Sequence, residues 1–248
     1  MDARRACRTL RVDTRPRQQI LTLIAIALTF GSGANDVASF TRLGGVFTSV
    51  MTGNIVLLGL SLADKSVSLA SHTVVSIAGY IAGVAGGTWV AHGFTVHGSG
   101  KPDETGRDSV LPGHVSWALF TEFALLAGFT AGWEITGARP AGWVEFVLLA
   151  VLAAAMGMQS LSVNEMGLSH VSTTFLTGTL TGLVSSLARP GQDTKHGARR
   201  IGVLIGLAAG ALLCGVLVAT APRVVPALPL AAVITALVLS SVPVRTGP

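Results

Sequence analysis

The chain has 248 residues, of which 50% are hydrophobic and only 12% charged, with a mean hydropathy of +0.64. Soluble domains carry about a quarter charged residues, so a water-facing globule is excluded. The formal net charge of +5 lies in short clusters without a basic–aromatic module, which argues against nucleic-acid binding.

The chain opens on a basic tail, residues 1–17, holding Arg4, Arg5, Arg8, Arg11, Arg15 and Arg17. The apolar run that follows, Ile20 to Phe30, resembles the core of a secretory signal. A counterpart at Val147 to Gln159 argues instead for a retained first helix. A bilayer-spanning helix needs about 20 mostly apolar residues, and eight segments approach that length: 18–36, 46–63, 72–92, 115–133, 142–163, 170–188, 199–221 and 227–243. Asp64-Lys65, Arg139-Pro140 and Arg189-Pro190-Gly191 read as polar turns between them. The longest connection, His97 to His114, is rich in Gly, Pro and charge and reads as a solvated loop.

The second half repeats the first. Met51-Thr52-Gly53-Asn54 lies in a segment ending Leu60-Ser61-Leu62-Ala63. Thr177-Gly178-Thr179, 125 residues on, lies in one ending Ser185-Ser186-Leu187-Ala188. Each copy is followed by glycines four apart, Gly79/Gly83/Gly87 and Gly202/Gly206/Gly210. The expected fold is therefore all-α, a polytopic membrane protein of six to eight spans. Repeat 1 covers 18–140 and repeat 2 covers 141–248, together one membrane domain, and paired Gly-interrupted segments of this kind are common in carriers.

Two topologies satisfy the charge distribution. With eight spans and a cytoplasmic N-terminus, thirteen Lys and Arg lie inside against four outside, as the positive-inside rule requires. If segments two and six are re-entrant, Lys65 and Arg139 exchange sides with Lys101 and Arg107, and the count is unchanged. The second arrangement makes the repeats inverted. The many hydroxyls of segment six favour it, because non-helical or polar backbone at membrane depth needs protein or water around it.

The candidate solute-binding residues are Thr52, Gly53, Asn54, Thr177, Gly178 and Thr179, with Asn35, Asp36, Glu122 and Gln159 as polar neighbours. Helix interruptions at such Thr-Gly elements expose backbone groups that bind ions or solutes; the alternative is close helix packing, with threonines bonded back to their own helix. Asp36 is expected near a segment end, paired with Arg42, facing a cation, or acting as an interfacial cap. Glu122 lies well inside segment four, where a carboxylate must be neutral, paired or facing a wet cavity. The glycine ladders are read as packing faces. The six histidines have no metal-site spacing, and Cys7 and Cys214 form no CxxC or disulfide framework. Nucleophile elbows, phosphate loops and paired catalytic carboxylates are absent, so no enzyme, cofactor or metal is expected.

Gly33-Ala34-Asn35-Asp36, Gly44-Gly45-Val46-Phe47, Met51-Thr52-Gly53-Asn54 and Ala155-Met156-Gly157-Met158-Gln159 resemble the YoaK-like family of bacterial membrane proteins, a domain of unknown function (number 1275). The resemblance runs over nearly the whole chain beyond the tail, and the Met-Thr-Gly-Asn element is its most specific part. It implies a bacterial inner-membrane protein of about six spans and no established substrate. The expected function is a small-solute or ion permease, with a non-transporting scaffold as the alternative. Its expected partners are the lipid bilayer, a small solute or ion and a second copy of the chain, with the N-terminus cytoplasmic.

Overall fold

A computed structural model describes residues 15–97, 111–166, 176–188 and 194–242. Most of the basic tail with Cys7, the 98–110 loop, Thr173 to Phe175 and the 189–193 turn lie outside the described residues. The elements in chain order are α1 (Arg15–Arg42), α2 (Met51–Ala63), α3 (Val67–His97), α4 (Gly113–Ile135), α5 (Trp143–Glu165), α6 (Leu176–Leu187), α7 (Thr194–Thr220) and α8 (Ala227–Ser240). A single 3-10 turn, Pro222–Val224, leads into α8.

Six of these helices are long and apolar enough to cross a membrane, while α2 is a shorter apolar helix. At 1.5 Å per residue, the 13 residues of α2 span roughly 20 Å, too little for a hydrocarbon core of about 30 Å. The outward surface is apolar: Trp89 is 81% exposed and Ile135 85%. Water does not tolerate such a surface over a whole bundle, and lipid does. The protein is a polytopic, all-helical membrane protein.

The packing directions decide between the two topologies. Gly206 and Gly210 of α7 face the carbonyls of Ile26 and Phe30 on α1, so these helices run side by side in the same direction. In the same way Gly79 and Gly83 of α3 face Ala150 and Ala154 of α5. The central helices α1 and α5 run oppositely, because Ser32 bonds Gln159 while Asn35 meets Met156. It follows that α3 starts at the end of the bundle where α1 finishes, and that α7 starts where α5 finishes. Both α2 and α6 therefore join helix ends on one side of the bundle, and the two sides are opposite. The six-span alternative is the one this geometry supports.

The contacts recur in matching sets. α1 packs on α7 and α8, α5 packs on α3 and α4, α2 leans on α3, and α6 leans on α7. The glycine ladders are packing faces: Gly79 and Gly83 meet Ala150 and Ala154 of α5, and Gly206 and Gly210 meet Ile26 and Phe30 of α1. A Cβ on Gly83 would collide with the Ala154 carbonyl oxygen, and one on Gly210 with that of Phe30. Only glycine permits backbones this close.

Two further expectations are corrected. α1 does not end near residue 36 but continues to Arg42, because Gly31 and Gly33 seat α8 and α7 against it rather than breaking the helix. Asn35 and Asp36 are thus buried helical residues, 1% and 8% exposed. Asp36 and Arg42 do not pair: the Arg42 guanidinium donates to the Val218 carbonyl at 3.0 Å, tying α1 to α7.

Candidate functional site

Beyond Arg42 the chain reverses at Gly44 and Gly45, whose φ values of +83° and +75° lie in the left-handed region glycine favours. The His72 ring occupies the space a Gly44 side chain would need. The reversal carries residues 46–50 back along α1 until Thr48 and Ser49 reach Asp36, about 9 Å short of the helix end. Asp36 Oδ1 accepts from the backbone N–H groups of Thr48 at 2.9 Å and Ser49 at 2.8 Å, and from the Thr48 hydroxyl at 3.2 Å. The Ser49 hydroxyl donates to Oδ2 at 2.5 Å. A carboxylate that accepts four hydrogen bonds is a clamp on the loop.

Asn54 completes the clamp from the first turn of α2. Its Oδ1 accepts from the Phe47 N–H at 2.9 Å, and its Nδ2 donates to the Phe47 carbonyl at 2.7 Å and to the Ser76 hydroxyl at 3.1 Å. Ser76 of α3 donates to the same carbonyl. The element descends as an irregular loop and returns as a helix, with its backbone groups satisfied by buried side chains, as irregular backbone at membrane depth requires.

The neighbouring Thr-Gly positions lie differently. Thr52 is exposed beside buried Asn54, and Gly53 rests on the Phe47 ring. In α6, Thr177 and Gly178 are exposed while Thr179 is buried. The exposed Thr181 hydroxyl bonds back to the Thr177 carbonyl at 2.9 Å within the same helix. The structure does not gather the two Thr-Gly elements into one place. They flank opposite sides of the bundle.

What it does gather is Glu122, Gln159, Asn35 and a residue that sequence reasoning passed over, Ser32. Glu122 is fully buried, about 14 Å from the start of α4. Gln159 Nε2 donates to Glu122 Oε1 at 2.7 Å, and the Ser32 hydroxyl donates to Gln159 Oε1 at 2.6 Å. Asn35 Nδ2 lies 3.3 Å from the Met156 sulfur. Two acceptors in this cluster have no partner among the described residues: Glu122 Oε2 and Asn35 Oδ1. Native interiors rarely leave such atoms bare. The overlooked signal for Ser32 was its spacing. Ser32 and Asn35 lie three apart on α1, as Met156 and Gln159 do on α5, so each pair shares a helix face.

Among the described residues, no group of three or more His, Cys, Asp or Glu side chains could hold a metal ion. The family described as "Protein of unknown function (DUF1275)" matches residues 24–241. The chain belongs to this family. It is also similar to the UPF0700 transmembrane protein YoaK of Bacillus subtilis (strain 168), 29% identical over 172 residues that cover 69% of this chain and 68% of that protein. No solved structure matches. The matched span of this DUF1275 member takes in α1 from Ile24 onward, the five other long helices, the Asp36–Asn54 clamp and the Glu122 cluster.

Proposed function

We propose that this DUF1275 protein is a permease of the bacterial inner membrane for a small solute or ion, built from two inverted repeats, 18–140 and 141–248, and catalysing no covalent chemistry. The observation that carries the reading is Glu122: a carboxyl group midway along a membrane helix, wholly buried, with one oxygen unpartnered among the described residues. Ionisable groups at that depth are costly and mark solute and ion pathways, and carriers place their sites near the midplane where repeats meet. Here the site core is Ser32, Asn35, Glu122 and Gln159 at the α1–α5 crossing. The Thr52-Gly53-Asn54 and Thr177-Gly178-Thr179 elements would flank it from opposite sides as re-entrant gates.

With six spans, the end of the bundle holding the starts of α1, α4 and α7 carries most of the cations, which supports a cytoplasmic N-terminus. The test is uptake into proteoliposomes across a panel of small solutes and ions. Glu122→Gln, nearly isosteric and still able to bond Gln159, should abolish uptake while preserving the thermal unfolding midpoint. Uptake that survives Glu122→Gln and Asn35→Ala would overturn the assignment of the site.

A second reading, a membrane scaffold that docks partners or a second copy of itself, is favoured by a different observation. Asp36 and Asn54 spend their bonding capacity on holding the 43–50 loop. On that reading, their replacement harms assembly and nothing is transported.

A further inference from the structure

We propose that the cluster at the α1–α4–α5 crossing binds one monovalent positive charge, a proton or an alkali cation, with Glu122 Oε2 as the charged ligand and Asn35 Oδ1 as a neutral one. This deepens the permease reading by naming the charge its site takes, and it rests on that reading only for its use in transport.

The argument begins with what surrounds Glu122. Its one hydrogen-bond partner among the described residues is the Gln159 amide, which is neutral. Gln159 Oε1 takes the Ser32 hydroxyl, which also lies within reach of the Leu28 carbonyl, and the amide nitrogen faces the carboxyl group. Glu122 Oε1 is therefore an acceptor. If the group is ionised, Oε2 is a bare anionic oxygen in a medium where an uncompensated charge is very costly. If it is protonated, the proton sits on Oε2. In either state Oε2 is the oxygen open to take up a positive charge.

Apart from Tyr80 of α3 and the buried Cys214 of α7, the charged and titratable groups on the packed elements are committed elsewhere or lie toward the helix ends, as Lys195, His196, Arg199 and Arg200 do in the first turns of α7. On α1, Asp36 is held by Thr48 and Ser49, Arg42 by the Val218 carbonyl, and Arg17 stands four turns below Ser32. On α5, Glu145 lies 3.2 Å from His72 of α3, and Glu165 lies 3.8 Å from His114 of α4. α4 also carries Glu134 in its last turn, α3 carries Tyr80, His92 and His97, and α8 carries no charged residue. An anion would meet the negative end of this cluster with no counter-charge. A divalent ion would keep a net positive charge against a single carboxylate, and hard divalent ions ask for six or more oxygens. A monovalent charge is neutralised by Glu122 alone. Asn35 lies one turn, about 4.5 Å, along α1 from Ser32, and its buried Oδ1 is the second acceptor of the cluster without a partner among the described residues.

The experiment uses the purified full-length protein in lipid nanodiscs. One arm measures thermal unfolding and calorimetric binding with sodium, potassium or choline chloride at constant ionic strength. The other follows the infrared band of a protonated carboxylic acid through a pH titration, assigned to Glu122 by its loss in Glu122→Gln. A saturable midpoint rise with sodium or potassium but not choline, absent in Glu122→Gln and at least tenfold weaker in Asn35→Ala, identifies an alkali cation. A Glu122 band that appears and disappears with pH, without alkali dependence, identifies the proton. No alkali response together with no pH-dependent Glu122 band in the wild-type protein overturns the proposal and leaves a buried structural carboxyl group. Neither arm requires transport. Binding without uptake sinks the permease reading alone, and uptake without binding sinks this inference alone.

Discussion

Asn54 brackets the Phe47 peptide, accepting from its N–H at 2.9 Å and donating to its carbonyl at 2.7 Å. One side chain thereby satisfies both polar groups of a buried non-helical peptide, seven residues upstream. Asn54→Leu removes both bonds and the one to Ser76, and should cost roughly 2–4 kcal/mol. Thermal unfolding in detergent checks this, and Thr52→Ala, at the exposed neighbouring position, should change the midpoint little. Equal effects from the two variants would refute the clamp.

Asp36 offers a graded test of the same loop. Asp36→Asn keeps one acceptor for the Thr48 and Ser49 N–H groups, whereas Asp36→Ala leaves both unsatisfied in the interior. The alanine variant should be the less stable, and limited proteolysis should cut it between residues 43 and 50 faster than wild type. If the asparagine variant is as unstable as the alanine variant, the charge matters more than the bonds.

The glycine contacts predict where a methyl group is forbidden. Gly83→Ala and Gly210→Ala each drive a Cβ into a neighbouring helix carbonyl, with an expected loss of about 1–3 kcal/mol. Gly178→Ala meets open space and should be neutral or slightly stabilising. Monodisperse yield and unfolding midpoint report all three.

The direction of α1 against α5 predicts sidedness. With Cys214 changed to serine, a cysteine at exposed Gly113 should react with an impermeant thiol reagent from the same side as Cys7. A cysteine at Lys65, also exposed, should react from the opposite side. Labelling of Gly113→Cys from the side opposite Cys7 would restore eight spans.

Ser32 and Gln159 should be energetically coupled. A cycle of Ser32→Ala, Gln159→Leu and the double variant should return an interaction of about 0.5–2 kcal/mol, because the lost hydroxyl matters only while the amide is there to receive it. Additivity would place the hydrogen bond outside the energetics of the crossing.

Class and approximate layout were legible in the chain alone. Hydropathy and the scarcity of charge dictate membrane helices, since their backbone bonds are satisfied locally and need no knowledge of neighbours. The packing role of glycines four apart is likewise a property of one helix face. What spacing could not decide was everything that depends on a partner. The charge count tolerated six or eight spans equally, and the opposite order of Ser32–Gln159 and Asn35–Met156 was needed to separate them. Asp36 carried a charge visible in sequence, but its four donors come from a loop that only the Gly44–Gly45 reversal brings back to it. Glu122 stood out by depth, yet its one partner among the described residues, the Gln159 amide, and the Ser32 hydroxyl behind it come from helices far away in the chain. Hydrophobicity acts residue by residue and survives in the sequence. Hydrogen-bond satisfaction is a property of pairs, and the pairs are made by the tertiary fold.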